Sequence, residues 1–215
     1  RVGDKTAPTL VILHGYGADM RDLAPLAHEI PLNHPARWIF PNGPLSVPLG
    51  PHATGRAWAY IDMDSIQAAM MRGEHRDLSG AAPAGFQEAM DAGHEFLQAL
   101  GVPLSQVVLG GFSQGSMLAT ALAATTPERP AGLVIWSGNL VDRARMQDWL
   151  QNRKGLPFFQ SHGMQDAVLG HAGAKQLYDL LCESGLKGEL LTFRGGHELP
   201  PQVLRKTSEF LNRIL

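Results

Sequence analysis

Short, wholly apolar runs alternate along the chain with longer stretches in which apolar residues return every three or four positions, the pattern of strands exchanging with helices. Thr9–Leu13, Trp38–Phe40, Val107–Phe112, Gly132–Trp136, Pro157–His162 and Leu190–Phe193 read as six strands. Thr9–Leu13 and Gly132–Trp136 are apolar almost throughout, as expected of strands covered on both faces in a parallel sheet. Met20–Ile30, Leu78–Leu100, Ser116–Ala124, Arg143–Leu150, Ala172–Ser184 and Pro200–Leu215 read as helices. In Leu78–Leu100 the inward stripe is Phe86, Ala89, Met90, Gly93, Phe96, Leu97 and Leu100. Leu45–Tyr60, rich in proline and glycine and without a period, reads as an irregular surface segment. Ser65–Arg72 reads as a short amphipathic helix that either closes part of the core or forms a flap over a pocket. Strands separated by helices predict an α/β protein with a mostly parallel central sheet and right-handed crossovers.

Length and composition narrow this further. The 215 residues suffice for one domain with a full core, and no boundary divides residues 1–215. A formal net charge of -2 gives no electrostatic reason to expect nucleic acid or an anionic membrane as partner, which leaves a small molecule. The lone cysteine, Cys182, excludes an internal disulfide and reads as a buried, inert thiol in a helix. No apolar run reaches the roughly 20 residues of a membrane span, and no leader-like segment opens the sequence, so the expected compartment is the cytoplasm.

The chemistry gathers around Gly111-Phe112-Ser113-Gln114-Gly115, where a strand stops and a helix rich in alanine and leucine begins at once. A Gly-x-Ser-x-Gly in that context is a nucleophile elbow, with Ser113 on a strained turn and its hydroxyl exposed at a helix N-terminus. Serine is a weak nucleophile near neutral pH, so it needs a base, and the base a carboxylate to fix its tautomer. In such sheets the working loops follow the carboxyl ends of strands. His197 lies just beyond the last strand after Gly195-Gly196, and Asp166 just beyond the strand before it; Asp142, one strand earlier, competes for the acid. His14 and His162 also follow strands and read as loop-shaping rings, while the remaining histidines read as solvated or structural. The order Ser113, Asp166, His197 is that of the α/β-hydrolases. Oxyanion donors are the backbone amides of Gln114 and, from the loop after Leu13, Tyr16.

These motifs resemble the acyl-protein thioesterase, or phospholipase/carboxylesterase, family of small α/β-hydrolases. The resemblance is carried by Leu13-His14-Gly15-Tyr16-Gly17-Ala18-Asp19, Pro41-Asn42-Gly43-Pro44, Arg56-Ala57-Trp58, Gly111–Gly115, His162-Gly163 with Asp166, and Gly196-His197-Glu198-Leu199-Pro200. It implies a single α/β-hydrolase domain without a large cap, with nucleophile, acid and base on Ser113, Asp166 and His197 and oxyanion donors on Tyr16 and Gln114. Where that family often carries prolines after its catalytic aspartate, this chain has Ala167-Val168-Leu169-Gly170, which predicts a looser loop.

The expectation is a serine carboxylesterase cleaving short- to medium-chain acyl esters through an acyl-serine, with acyl-protein thioesterase, lysophospholipase or a non-catalytic binding module as alternatives. Trp58, Ile66, Met70, Leu140 and Val168 are the candidates to line the acyl trough. No metal or organic cofactor is expected, because His14, His162 and His197 never pair at metal-ligand spacing with a second His or Cys. Oligomeric state is left open, with a homodimer allowed.

Overall fold

The computed structural model describes residues 7–75 and 77–215, with the backbone alone for Met63, Asp64 and Met70. Six strands, β1 (Thr9–Leu13), β2 (Arg37–Ile39), β5 (Val107–Phe112), β6 (Gly132–Trp136), β7 (Pro157–Gly163) and β8 (Lys187–Phe193), form one sheet in the order β2-β1-β5-β6-β7-β8. Every pairing in it is parallel. Parallel neighbours need crossover connections, and helices supply them.

Alternation along the strands sends side chains to two separate cores. Val11, Leu13, Leu109, Leu133 and Ile135 pack with α3 (Phe86–Ala99), α4 (Gln114–Thr125), α5 (Arg143–Leu150) and α6 (His171–Glu183). Leu10, Ile12, Val108, Val134 and Trp136 pack on the other face with Leu26 of α1 (Leu26–Glu29) and with Val203, Phe210 and Leu211 of α7 (Pro201–Ile214). Because both faces are covered, β1 and β6 must be apolar at consecutive positions, which is what the sequence showed. Helix α4 lies deepest: Gln114 to Ala124 are all buried. A helix so enclosed has no polar face to offer, hence its run of alanine and leucine.

Three elements differ from the sequence reading. The Met20–Ile30 helix shrinks to α1, preceded by turns, and Leu78–Leu100 begins helically only at Phe86, after Gly85 in the left-handed conformation (φ 80°). Leu45–Tyr60 is not irregular: β3 (Leu45–Gly50) and β4 (Ala53–Ala57) form an antiparallel hairpin off the main sheet. The hairpin has a job near the site, since Gly17 N–H donates to Arg56 O at 2.9 Å and Arg56 N–H to Ala18 O at 2.8 Å. It therefore braces the loop after β1. Cys182 is exposed rather than buried; Leu180 and Leu181 take the inward face of α6, and the next residue turns outward. Ser65–Arg72 falls within and just after α2 (Met63–Met71).

Candidate active site

Ser113 stands between β5 and α4 with φ 54° and ψ -122°, a conformation that L-residues seldom adopt. Two things enforce it. Ser113 N–H is tied to Trp136 O at 2.9 Å, and α4 passes so close to the strands that a Cβ on Gly115 would stand 2.2 Å from Leu13 O. The elbow places the serine at the start of α4, where the first amides of the helix have no intrahelical partner. Among the described residues neither the Gln114 nor the Tyr16 amide donates to another group, so both remain free for a developing oxyanion.

The loop that carries Tyr16 is pinned by a buried network. His14 donates from Nδ1 to Gly15 O at 2.7 Å and accepts Gly43 N–H on Nε2 at 2.9 Å. That pattern requires the neutral ring, and burial pushes His14 below the ordinary histidine range, against a raising contribution from the Gly15 carbonyl and Asp19 and Asp22. The loop-shaping role read for His14 is thus what the geometry shows. Trp58 closes the network: its Nε1–H donates to His14 O at 2.8 Å and its ring lies 5.1 Å from the imidazole.

Asp166 and His197 meet as the chain order predicted. Gly163 ends β7 with no side chain, and a Cβ there would meet Gly196 O at 2.2 Å, so the base loop closes directly onto the acid loop. Met164 N–H to Phe193 O and Gln165 N–H to Gly195 O, both 2.9 Å, join the two. His197 Nδ1 then donates to Asp166 Oδ2 at 2.6 Å, and its ring packs on Phe112 at 4.7 Å between centroids. Burial pushes the Asp166 carboxyl up, but the hydrogen bond and charge of His197 and the Leu169 amide outweigh it, leaving the group below the usual carboxylate range. Asp142 is elsewhere: its carboxylate caps α5 by accepting Arg145 N–H at 3.3 Å.

Ser113 and His197 face one apolar cavity of about 270 Å³, shared with Tyr16, Gln114, Ile66 and Val168. Among the described residues the Ser113 hydroxyl makes no hydrogen bond to the His197 ring, a contact that in such sites commonly tightens only with substrate in place. Ile66 and Val168 line this cavity, while Trp58 and Leu140, expected beside them, do not. Trp58 is turned into the His14 network, and Leu140 is sealed in the core. The Met70 side chain lies outside the described residues. Phe86, read from its periodicity as core, also lines the cavity, as do Met117 of α4 and Ile61, Leu78, Pro83 and Leu169. Burial marks a core wall and a pocket wall alike, so spacing could not separate them. A larger cleft of about 700 Å³ between His94 and Glu128 touches none of the triad candidates.

The acid loop is not slack, despite lacking the prolines. Asp166 Oδ1 accepts Val168 N–H at 2.9 Å and Leu169 N–H at 2.8 Å. Behind it Asn139 Nδ2 donates to Gly170 O at 3.2 Å, and His75 Nε2 lies 2.9 Å from Asp166 O. Side-chain hydrogen bonds here replace proline in stiffening the turn. Among the described residues no cluster of His, Cys, Asp or Glu suits a metal ion, and no helix is long and apolar enough to cross a membrane.

Residues 2–215 match the family described as phospholipase/carboxylesterase. The chain belongs to this family. The chain is 29% identical over 219 residues to acyl-protein thioesterase 1 of Eremothecium gossypii, covering 95% of the chain and 87% of the relative. Among solved structures, esterase PE8 is similar at a TM-score of 0.76 and 26% identity, over 97% of this chain and 94% of that one. SOBER1 of Arabidopsis thaliana is similar at 0.77 over 97% and 99% of the two chains; at 22% identity that likeness speaks for the fold. The protein is a serine hydrolase of the α/β-hydrolase class, acting on ester or thioester bonds.

Proposed function

We propose that the protein is a carboxylesterase for short- to medium-chain acyl esters, working through an acyl-Ser113 intermediate. Ser113 Oγ attacks the acyl carbonyl carbon while His197 Nε2 takes its proton. Asp166 holds the opposite nitrogen and stabilises the imidazolium that forms. The carbonyl oxygen gathers negative charge between the Tyr16 and Gln114 amides. The carbon–oxygen bond to the leaving group then breaks, and His197 returns the proton to the departing alcohol. Water, activated by the same ring, attacks the acyl-enzyme and releases the carboxylic acid.

The observation that carries this reading is the 2.6 Å Asp166–His197 hydrogen bond beside the cavity that also holds Ser113. The chain-length preference rests on size: about 270 Å³ lies just under the roughly 300–1,000 Å³ of pockets for drug-sized ligands. The test is a series of p-nitrophenyl esters from acetate to palmitate, with fluorophosphonate labelling of the wild type and of Ser113→Ala. The reading expects labelling at Ser113, an optimum between butyrate and octanoate, and loss of both signals in the variant. Turnover that survives Ser113→Ala overturns it.

Likeness to acyl-protein thioesterase 1 favours a second reading of the same site, cleavage of acyl thioesters. Oxygen esters and thioesters of equal chain length, compared by kcat/KM, separate the two.

A further inference from the structure

Three imidazoles approach Asp166, and the reaction above uses only that of His197. His162, four residues before Asp166 at the end of β7, is fully buried. Its Nε2 lies 2.7 Å from Leu169 O and 3.3 Å from Asp166 Oδ2. Both oxygens are acceptors, so the proton must sit on Nε2. Nδ1 is then a bare buried acceptor, with no partner among the described residues. A ring with one idle polar atom costs free energy to bury, and an apolar ring would fill the space without that cost. What Nε2 holds accounts for a histidine here. Burial also pushes the ring below the ordinary histidine range, against the raising influence of the Leu169 carbonyl and the Asp166 charge, so it stays neutral beside the carboxylate.

Nε2 holds a closed turn. The Val168 and Leu169 amides come back onto Asp166 Oδ1, and His162 clamps the far end through Leu169 O. The same N–H leans on Oδ2, the oxygen that receives His197. One buried donor thus fixes both the direction of the carboxylate and the loop whose Val168 and Leu169 line the cavity. The ionisable groups facing it are Asp166 on its own loop, His197 beyond β8, and His171 at the head of α6 with ring centroids 6.0 Å away.

We propose that His162 is a positioning residue for hydrolysis, its Nε2–H locking the 166–169 turn and the carboxylate that orients His197. This rests on the triad reading given above. With the donor gone, Leu169 O is left buried and unpaired and Oδ2 loses a nearby dipole, which makes the carboxylate more basic. The base then releases its proton less readily as pH rises, and the acid limb of kcat/KM moves to higher pH.

His162→Phe keeps a ring and removes the donor; kcat/KM is expected to fall at least about tenfold, the scale of one hydrogen bond to a charged group, with the acid limb displaced upward. His162→Gln restores an N–H at the position of Nε2 and is expected to recover most of the rate and the wild-type limb. An unchanged rate and limb in His162→Phe, or a His162→Gln no better than His162→Phe, overturns the proposal. Ser113→Ala reports on the triad separately. Nitrogen-15 NMR of the wild type reads His162 without turnover and without reliance on how the variants fold. A neutral Nε2–H tautomer across roughly pH 5 to 8, the span in which histidine ordinarily changes charge, supports the proposal; an Nδ1–H tautomer or a second proton in that span overturns it.

Discussion

The side-chain amide of Gln114 grips the chain at Trp58: Oε1 accepts Trp58 N–H at 2.9 Å, and Nε2 donates to the next carbonyl, Ala59 O, at 2.8 Å. The residue whose backbone amide is the proposed oxyanion donor thus uses its side chain to fasten the segment that follows β4. Gln114→Leu leaves two backbone groups buried and unpaired, for a loss of roughly 2–5 kcal/mol in urea unfolding, with kcat/KM falling as the elbow shifts. Gln114→Glu can still accept from Trp58 but cannot donate to Ala59, and is expected to lose stability as well. A neutral result for both would mean that the bridge contributes nothing.

Ser113 holds its φ of 54° only because the elbow demands it. Glycine adopts that conformation freely, so Ser113→Gly is expected to raise stability by about 1 kcal/mol while abolishing hydrolysis. A thermal melt alongside an esterase assay reads both. A destabilised variant would show that the serine side chain, and not backbone strain, dominates at this position.

Ile66 reaches the cavity from α2, and Phe86 and Met117 line the same cavity. Ile66→Phe adds bulk from a half-buried position and so should disturb folding little. Octanoate esters are expected to lose at least about tenfold in kcat/KM, the scale of one methylene too many in an apolar pocket, while acetate esters keep their rate. Equal losses for both lengths would place Ile66 away from the acyl chain.

Acid should weaken the fold through its buried rings. His14 and His162 lie below the ordinary histidine range chiefly because they are buried. In the unfolded chain each takes a proton near pH 6.5, so below that value the unfolded state binds more protons than the folded one. Stability therefore falls as pH drops through about 6.5, by at most about 1.4 kcal/mol per pH unit for each ring. Asp166 adds a loss further down: its stabilisation is present above the ordinary carboxylate value and disappears as pH falls through its lowered one. Tm measured from pH 8 to 4 is expected to hold level at first and then decline; a Tm that climbs between pH 7 and 5 contradicts the neutral-ring assignment.

These expectations rest on features of unequal legibility in the sequence. Gly132–Trp136 and Arg143–Leu150 match β6 and α5 to the residue, because a doubly covered strand leaves an unbroken apolar run and a capped helix a bounded local pattern. The hairpin β3–β4 leaves none. Pro48, Gly50 and Gly55 interrupt it, and half of its positions face solvent, so composition spoke for a loop while long-range pairing made strands. Asp166 and His197 could be found because strand ends gather chemistry in this architecture. Trp58 and Leu140 could not be placed the same way. Each follows a strand, yet one is drawn to the His14 carbonyl and the other into the core, choices made by partners distant in sequence.

β7 and β8 pair continuously from Pro157–Lys187 to Gly163–Phe193, and the acid and base loops spring from that last rung. A slip of one residue along this ladder would displace the imidazole by about 3.3 Å from its present 2.6 Å contact with the carboxylate, enough to break that hydrogen bond, and invert every side chain of β8. β8 is also the border strand, with much of its length open to solvent. Activity is accordingly an assay of strand alignment: a molecule whose outermost strand seats one notch away would look folded by its helices and turn over nothing.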